Sequence, residues 1–336
     1  MESTATLPSL DVLPDQLLTE DIAAERAWKR DMLVPEDWLV PLSDACHAEL
    51  EAVVEMLRKH PQPLQQLTPQ MFSLPVCTRV MARVRRQLQQ EIGFAVIDRL
   101  PVERYSAAES TALAWLMASL MGQVVAQKCD GTRLYDVQDA GRPLAYGVRR
   151  SITNLEQDFH TDGGWLWAPP AFVGLFCLQP AQAGGYSRCA SLLTVHNEMR
   201  LHHPDLLLRL YGPFWWDRQA EHGPDDPKFC AHAVYQYDGH TLCARYYEDY
   251  IKNGYKLAGE TLDAPGQAAL AALRAIVDAP ENWVEFRLQK GQFQYINNRQ
   301  LAHARTAFDN AQAPAETHRH LVRLWNRDEG TPALEG

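Results

Sequence analysis

The sequence predicts an α+β fold, with helices first and an antiparallel sandwich or barrel after them. Apolar residues recur at helical spacing over residues 44–121, whereas from about 123 onward short alternating or continuous apolar runs alternate with turn residues. Neither GxGxxG nor GxxxxGK[ST] follows a strand pattern, so a nucleotide fold has no support.

Taken in order, residues 1–40 carry prolines and little periodicity and are read as a wrapped or partly mobile arm. A helix is expected over 44–60. Ser43 caps it, Cys46, Leu50, Val53, Val54 and Leu57 share a face, basic residues close its C-terminal turn, and Pro61 stops it. A second helix near 78–91 leads into a strand in which Phe94, Val96 and Asp98 alternate. A third runs near 105–121 and ends at Gly122. Strand patterns follow in QVVAQK, RLYDV, AFVGLFCL, WVEFRL, FQYINN and RHLVRLW, and Asp238-Gly239 between two alternating runs marks a hairpin. Helices intervene near 191–201, 204–211, 245–252 and 264–278. In the last, Asp263 caps, Pro265 sits in the first turn, and Leu270, Leu273 and Val277 share a face.

Composition narrows the function. Of 336 residues, 46% are hydrophobic and 22% charged, which is ordinary globular usage. A net charge of −10 argues against wrapping a phosphate backbone. No apolar run reaches the roughly 18 residues of a membrane span, and the acidic N-terminus does not read as a secretory signal. Seven cysteines without a CxxC read as reduced thiols of a cytoplasmic protein. The expected partner is therefore a small molecule, not nucleic acid or a membrane; oligomeric state is not legible.

The informative stretch is Glu156-Gln-Asp-Phe-His160-Thr-Asp162-Gly-Gly-Trp165. His-x-Asp/Glu alone is weak: 12 histidines and 42 acids give about 1.5 chance matches under average usage. Four exist. His47/Glu49 and His196/Glu198 lie in expected helices, where i and i+2 point apart, and His203/Asp205 flanks a helix start. His160/Asp162 lies in an extended stretch, where i and i+2 share a face and can reach one metal. His303, in NNRQLAHARTAF over 297–308, supplies a second imidazole. Two histidines and one carboxylate form the facial triad of non-haem Fe(II) oxygenases. The open positions suit a chelating 2-oxo acid and O2, and a buried arginine suits the far carboxylate. Arg319 and Arg323 in RHLVRLW share a strand face with Leu321 and Trp325. Arg305 extends on the face of His303, either supporting the site or bridging to an acid.

Four anchors in order, HTD at 160–162, GGYS at 184–187, NNRxLAHARTAF at 297–308 and RHLVRLW at 319–325, make residues from about 90 to 327 similar to a known family. This is the taurine dioxygenase and clavaminate synthase-like Fe(II)/2-oxoglutarate oxygenases. The resemblance implies a double-stranded β-helix, or jelly roll, with an N-terminal helical layer and helical insertions. Residues 1–70 would be an arm and helix packed on that core, and 71–336 the oxygenase domain. It implies iron at His160, Asp162 and His303, the C5 carboxylate of 2-oxoglutarate on Arg319, and Ser187 at a position where the family places a threonine that reaches the same co-substrate. Arg323 would point in near the C1 end or the substrate. The implied reaction consumes O2 and 2-oxoglutarate, releases succinate and CO2, and hydroxylates an unactivated C–H. Related halogenases lack the carboxylate that Asp162 supplies. Ala304 replaces a common glycine, and the first 70 residues lack the Cys/His cluster of γ-butyrobetaine hydroxylase-like members.

If the strand before His160 is regular, Glu156 and Asp158 face the same way as His160. Buried carboxylates need partners, so an amino acid-like or amine-bearing substrate, or a natural-product intermediate, is one reading; a bend that leaves both acids solvated is the other. Trp165, Trp167, Trp215 and Trp216 are read as pocket walls or core, and 221–229 as a lid or a plain surface loop. Desaturation or ring closure by the same oxidant, a cupin-type metal dioxygenase without 2-oxoglutarate, and a non-catalytic barrel that binds a ligand stay open at this level.

Overall fold

The computed structural model describes residues 16–143, 145–310, 314 and 317–335. Helices and antiparallel sheets mix as the sequence predicts. A seven-stranded sheet has the order Leu39–Pro41, Phe94–Asp98, Phe293–Asn297, Phe172–Gln179, His320–Arg327, Gln123–Val125, with Leu134–Val137 also paired to His320–Arg327. A four-stranded sheet has the order Trp283–Phe286, Ser187–Ser191, Leu301–Arg305, Gln157–His160. Among the described residues the only parallel pairing in these two sheets joins Leu39–Pro41 to Phe94–Asp98.

The continuous apolar run of the central strand has a simple cause: both its faces are covered. Phe172, Phe176 and Leu178 pack into the core shared with helices Asp44–Lys59, Pro75–Gln90 and Ala107–Met121. Val173 and Cys177 belong to the second core, which also holds Trp165, Cys189, Ala302 and Trp325. The neighbouring strand repeats the division, with Val322 and Leu324 under the helices and Leu321 and Trp325 on the other side. Arg323 shares the latter parity, so the strand pleat carries it toward the four-stranded sheet.

Local chemistry sets the helix ends. Ser43 accepts from the Cys46 N–H at 3.3 Å, Ser106 and Glu109 form a capping box, and Asp263 accepts from the Gly266 N–H at 2.7 Å. The Asp238-Gly239 hairpin joins Tyr235–Tyr237 to Leu242–Ala244. The helix expected over 245–252 instead spans Glu248–Ala258. Its start is delayed because the Tyr246 N–H donates to Thr161 Oγ1 at 3.0 Å and its carbonyl accepts from the Thr161 N–H at 2.7 Å, which holds the segment extended beside the His160 strand.

The described part of the arm wraps the body. Trp28 is fully buried and donates its indole N–H to the Ile92 carbonyl at 2.8 Å, and Leu39–Pro41 extends the large sheet. Among the described residues no helix is long and apolar enough to cross a membrane.

Candidate active site

His160 closes the strand Gln157–His160, and cross-strand pairing sets it directly opposite His303 on Leu301–Arg305. Their ring centroids are 4.2 Å apart. Asp162 lies just past the strand end. One ligand atom from each of His160, Asp162 and His303 lies within 4.8 Å of the others, all three residues are buried, and among the described residues no other His/Cys/Asp/Glu group converges this way. The other His-x-acid pairs serve the scaffold. Glu49 accepts from the Val76 and Cys77 N–H groups at a helix start, and His196 meets the Tyr211 hydroxyl at 2.8 Å in the core.

The donor set fits a divalent metal. His160 Nδ1 lies 2.8 Å from the Asp158 carbonyl, an acceptor, so Nδ1 carries the proton and Nε2 keeps its lone pair. The Gln157 amide donates to that Nε2 at 2.9 Å. Burial and the neighbouring His160 lower His303 to about 3, so its ring is neutral, and its Nδ1 is buried without a hydrogen-bond partner among the described residues. Burial opposes the charge of Asp162, but Arg323 and the two histidines outweigh it and hold the carboxyl well below its ordinary range. Arg323 Nη1 stands 3.1 Å from Asp162 Oδ2, and Trp325 Nε1 donates to the same oxygen at 2.9 Å.

Two small cavities flank this cluster and share Ser151, Gln157, His160 and Arg323. One is lined by His303, Ser187, Arg305 and Arg319 and by no acidic side chain. Ser187 stands directly across from Arg305 in the sheet register. Arg319 is buried, burial lowers it to about 10 so it stays charged at neutral pH, and its Nη1 has no partner among the described residues. The other cavity holds Asp162 and is walled by Trp165, Tyr247, Tyr250 and Arg149. Trp165, read from the sequence as pocket wall or core, belongs to the core and also lines this cavity, edge-on to Tyr250 at 5.5 Å, with its indole N–H buried and without a partner among the described residues.

A family model described as "Taurine catabolism dioxygenase TauD, TfdA family" matches residues 62–325. The chain belongs to this family. As a TauD/TfdA-family dioxygenase it is an Fe(II)- and 2-oxoglutarate-dependent oxygenase. FR-33289 synthase of Streptomyces rubellomurinus is 25% identical over 92% of this chain and 91% of that protein. A taurine hydroxylase-like protein of Stachybotrys chartarum is 27% identical over 91% of this chain and 79% of that protein. Among solved structures, asparagine oxygenase in complex with Fe(II), hydroxyasparagine and succinate has a TM-score of 0.68 at 20% identity, covering 86% of this chain and 93% of that one. The non-heme iron oxygenase OrfP in complex with Fe and alpha-ketoglutaric acid has a TM-score of 0.61 at 16% identity, covering 87% and 94%. These two likenesses establish the fold.

The expectation for Glu156 and Asp158 is corrected. Both are exposed, and Glu156 lies 3.5 Å from Arg188. The cause is a bulge in this dioxygenase: His303 pairs with His160 but Arg305 pairs with Gln157, so two residues of one strand oppose one of the other. A bulge breaks the period-two alternation. It turns Asp158 outward and brings Gln157 inward beside His160. Trp215 and Trp216 are core residues, Trp167 is 81% exposed, and 221–229 is a surface loop anchored by one buried residue, Glu221. Glu221 pairs with Arg149 at 2.6 Å, Arg149 donates to the Gln127 carbonyl at 2.7 Å, and Gln127 Oε1 accepts from Arg323 Nε at 2.7 Å. Sequence reasoning missed Gln127, Arg149, Glu221, Tyr247 and Tyr250, none of which stands in a motif of recognisable spacing, and also Gln157, which lies inside the 156–165 stretch but off the face that a regular strand gives His160. Asn298 had a signal, since it lies inside the 297–308 block, and its role is taken up below.

Proposed function

We propose that His160, Asp162 and His303 hold Fe(II), and that Arg319 and Ser187 seat the far carboxylate of 2-oxoglutarate. Arg323 lies between the metal ligand Asp162 and both cavities, and so orders the site where co-substrate and substrate meet. The dioxygenase then hydroxylates a C–H of a small amino acid-like molecule held between Trp165, Tyr247 and Tyr250. The carrying observation is the convergence of two buried imidazoles and one buried carboxylate next to a buried Arg319 nitrogen with no partner among the described residues.

Bound iron and 2-oxoglutarate supply the oxidant for an unactivated C–H, with release of succinate and CO2. The chain's own residues prepare the site. Asp158 fixes the His160 tautomer through its carbonyl. Arg323 and Trp325 keep Asp162 ionised and oriented. The aromatic walls exclude water from the reacting side. The amino acid-like class is supported by the hydroxyasparagine and hydroxyarginine bound to the two structural relatives. In this reading the two larger sheets form the double-stranded β-helix of a jelly roll, with residues 1–70 packed on it as arm and helix. Seven free cysteines fit a cytoplasmic setting.

Under anaerobic conditions Fe(II) plus 2-oxoglutarate should give a visible charge-transfer band, and His160→Ala or Asp162→Ala should abolish it. Metal bound without a band would overturn the reading. A substrate screen coupled to succinate release, starting with amino acids, identifies what is oxidised.

A further inference from the structure

Arg305 is 7% exposed and Arg319 4%, and both line the cavity beside His303. Arg305 Nη2 donates to the Thr153 carbonyl at 2.9 Å and to the Leu155 carbonyl. Its Nε and Nη1, like Nη1 of Arg319, are buried with no hydrogen-bond partner among the described residues. Both guanidiniums lie against one ring, that of Phe308, at 4.8 and 5.0 Å from its centroid. The charge of Arg319 opposes that of Arg305, and each buried N–H left unpaired is costly. An anion between them relieves both penalties, and no lining side chain provides one.

The geometry points to Arg305 as a second cation of the co-substrate seat, so that the far carboxylate of 2-oxoglutarate is bridged by Arg305 and Arg319. This rests on the proposed 2-oxoglutarate reading and extends it to a residue with no assigned role. Phe308 packs against both guanidiniums, and the Thr153 and Leu155 carbonyls hold Arg305 in place while its other nitrogens stay available. A dicarboxylic 2-oxo acid is thereby selected over a monocarboxylic one of equal length.

The test is anaerobic titration of the Fe(II)-loaded protein with 2-oxoglutarate and, separately, with 2-oxopentanoate, which lacks the far carboxylate. Binding is followed by the charge-transfer band. Arg305→Met is expected to weaken 2-oxoglutarate by about ten- to hundredfold, the range of a charged hydrogen bond, and to leave 2-oxopentanoate within about twofold of wild type. Arg305→Lys keeps the cation and should show a smaller loss that is again confined to 2-oxoglutarate; it carries the comparison if Arg305→Met does not fold. Equal losses for both acids would mean that Arg305 only braces the 153–155 segment, and unchanged binding of both would mean that it has no role in the seat; either overturns the inference. A wild-type protein that binds metal but gives no band with 2-oxoglutarate would instead overturn the parent reading.

Discussion

Asn298 grips the backbone of Asp162 from both sides: its Oδ1 accepts from the Asp162 N–H at 2.7 Å and its Nδ2 donates to the Asp162 carbonyl at 2.9 Å. The same Nδ2 reaches the Pro170 carbonyl at 3.1 Å. This clamp joins the turn after the His160 strand to the turn before the His303 strand. The third candidate ligand is thus placed by a side chain far from it in sequence.

Asn298→Ala strips partners from buried backbone groups at a cost of about 1–3 kcal/mol each. We expect a lower denaturation midpoint and, since ligand-orienting partners set metal affinity, a loss of Fe(II) affinity of about tenfold or more. Isothermal titration with Fe(II) measures the second. Unchanged metal affinity in a destabilised variant would show that Asp162 finds its place without the clamp.

Arg149 and Glu221 form a buried ion pair, with side chains 8% and 7% exposed. Glu221 also accepts from the Cys129 N–H at 2.8 Å. Glu221→Ala leaves a buried guanidinium uncompensated, and destabilisation of about 3–5 kcal/mol is expected in urea. Adding Arg149→Met should recover much of it. A double variant no more stable than the single one would place the cost elsewhere.

Gly254 lies in the helix Glu248–Ala258, where a Cβ would stand 2.5 Å from the Trp215 carbonyl and the Trp216 nitrogen. Neither backbone can give way cheaply. Gly254→Ala should therefore destabilise, although alanine favours a helix by about 1 kcal/mol. The displaced helix carries Tyr250, so the KM for the oxidised substrate should rise while Fe(II) affinity holds. A variant more stable than wild type would refute the packing argument.

Burial lowers His196 from 6.5 to about 4. The unfolded chain then binds the proton more tightly, so this histidine's share of stability is full above pH 6.5 and falls as pH drops toward 4. Burial lowers His232 to about 4 as well, with the same sign. Urea midpoints between pH 7 and 4.5 should fall less steeply for His196→Gln than for wild type. Parallel curves would assign the acid sensitivity to other groups.

Local pattern alone made much of this protein legible. The Ser43 and Asp263 caps, the Asp238-Gly239 hairpin and the apolar strand run at 171–178 depend on near neighbours and on periodicity, and they stand as read. Of the grouping of His160, Asp162 and His303, the local pattern carries only the His-x-Asp half; His303 is set opposite His160 by strand pairing, and Asp162, past the strand end, is held by Asn298. Which face Asp158 and Gln157 take was decided only in three dimensions. Pairing with Leu301–Arg305 imposes the bulge, and a bulge belongs to two strands at once. The same holds for Glu221 on Arg149, Asn298 on Asp162, and Arg305 beside Arg319 at Phe308. Such contacts follow from chain crossings, where a buried charge or N–H takes whatever partner the fold brings within reach, and no spacing along the sequence encodes that partner.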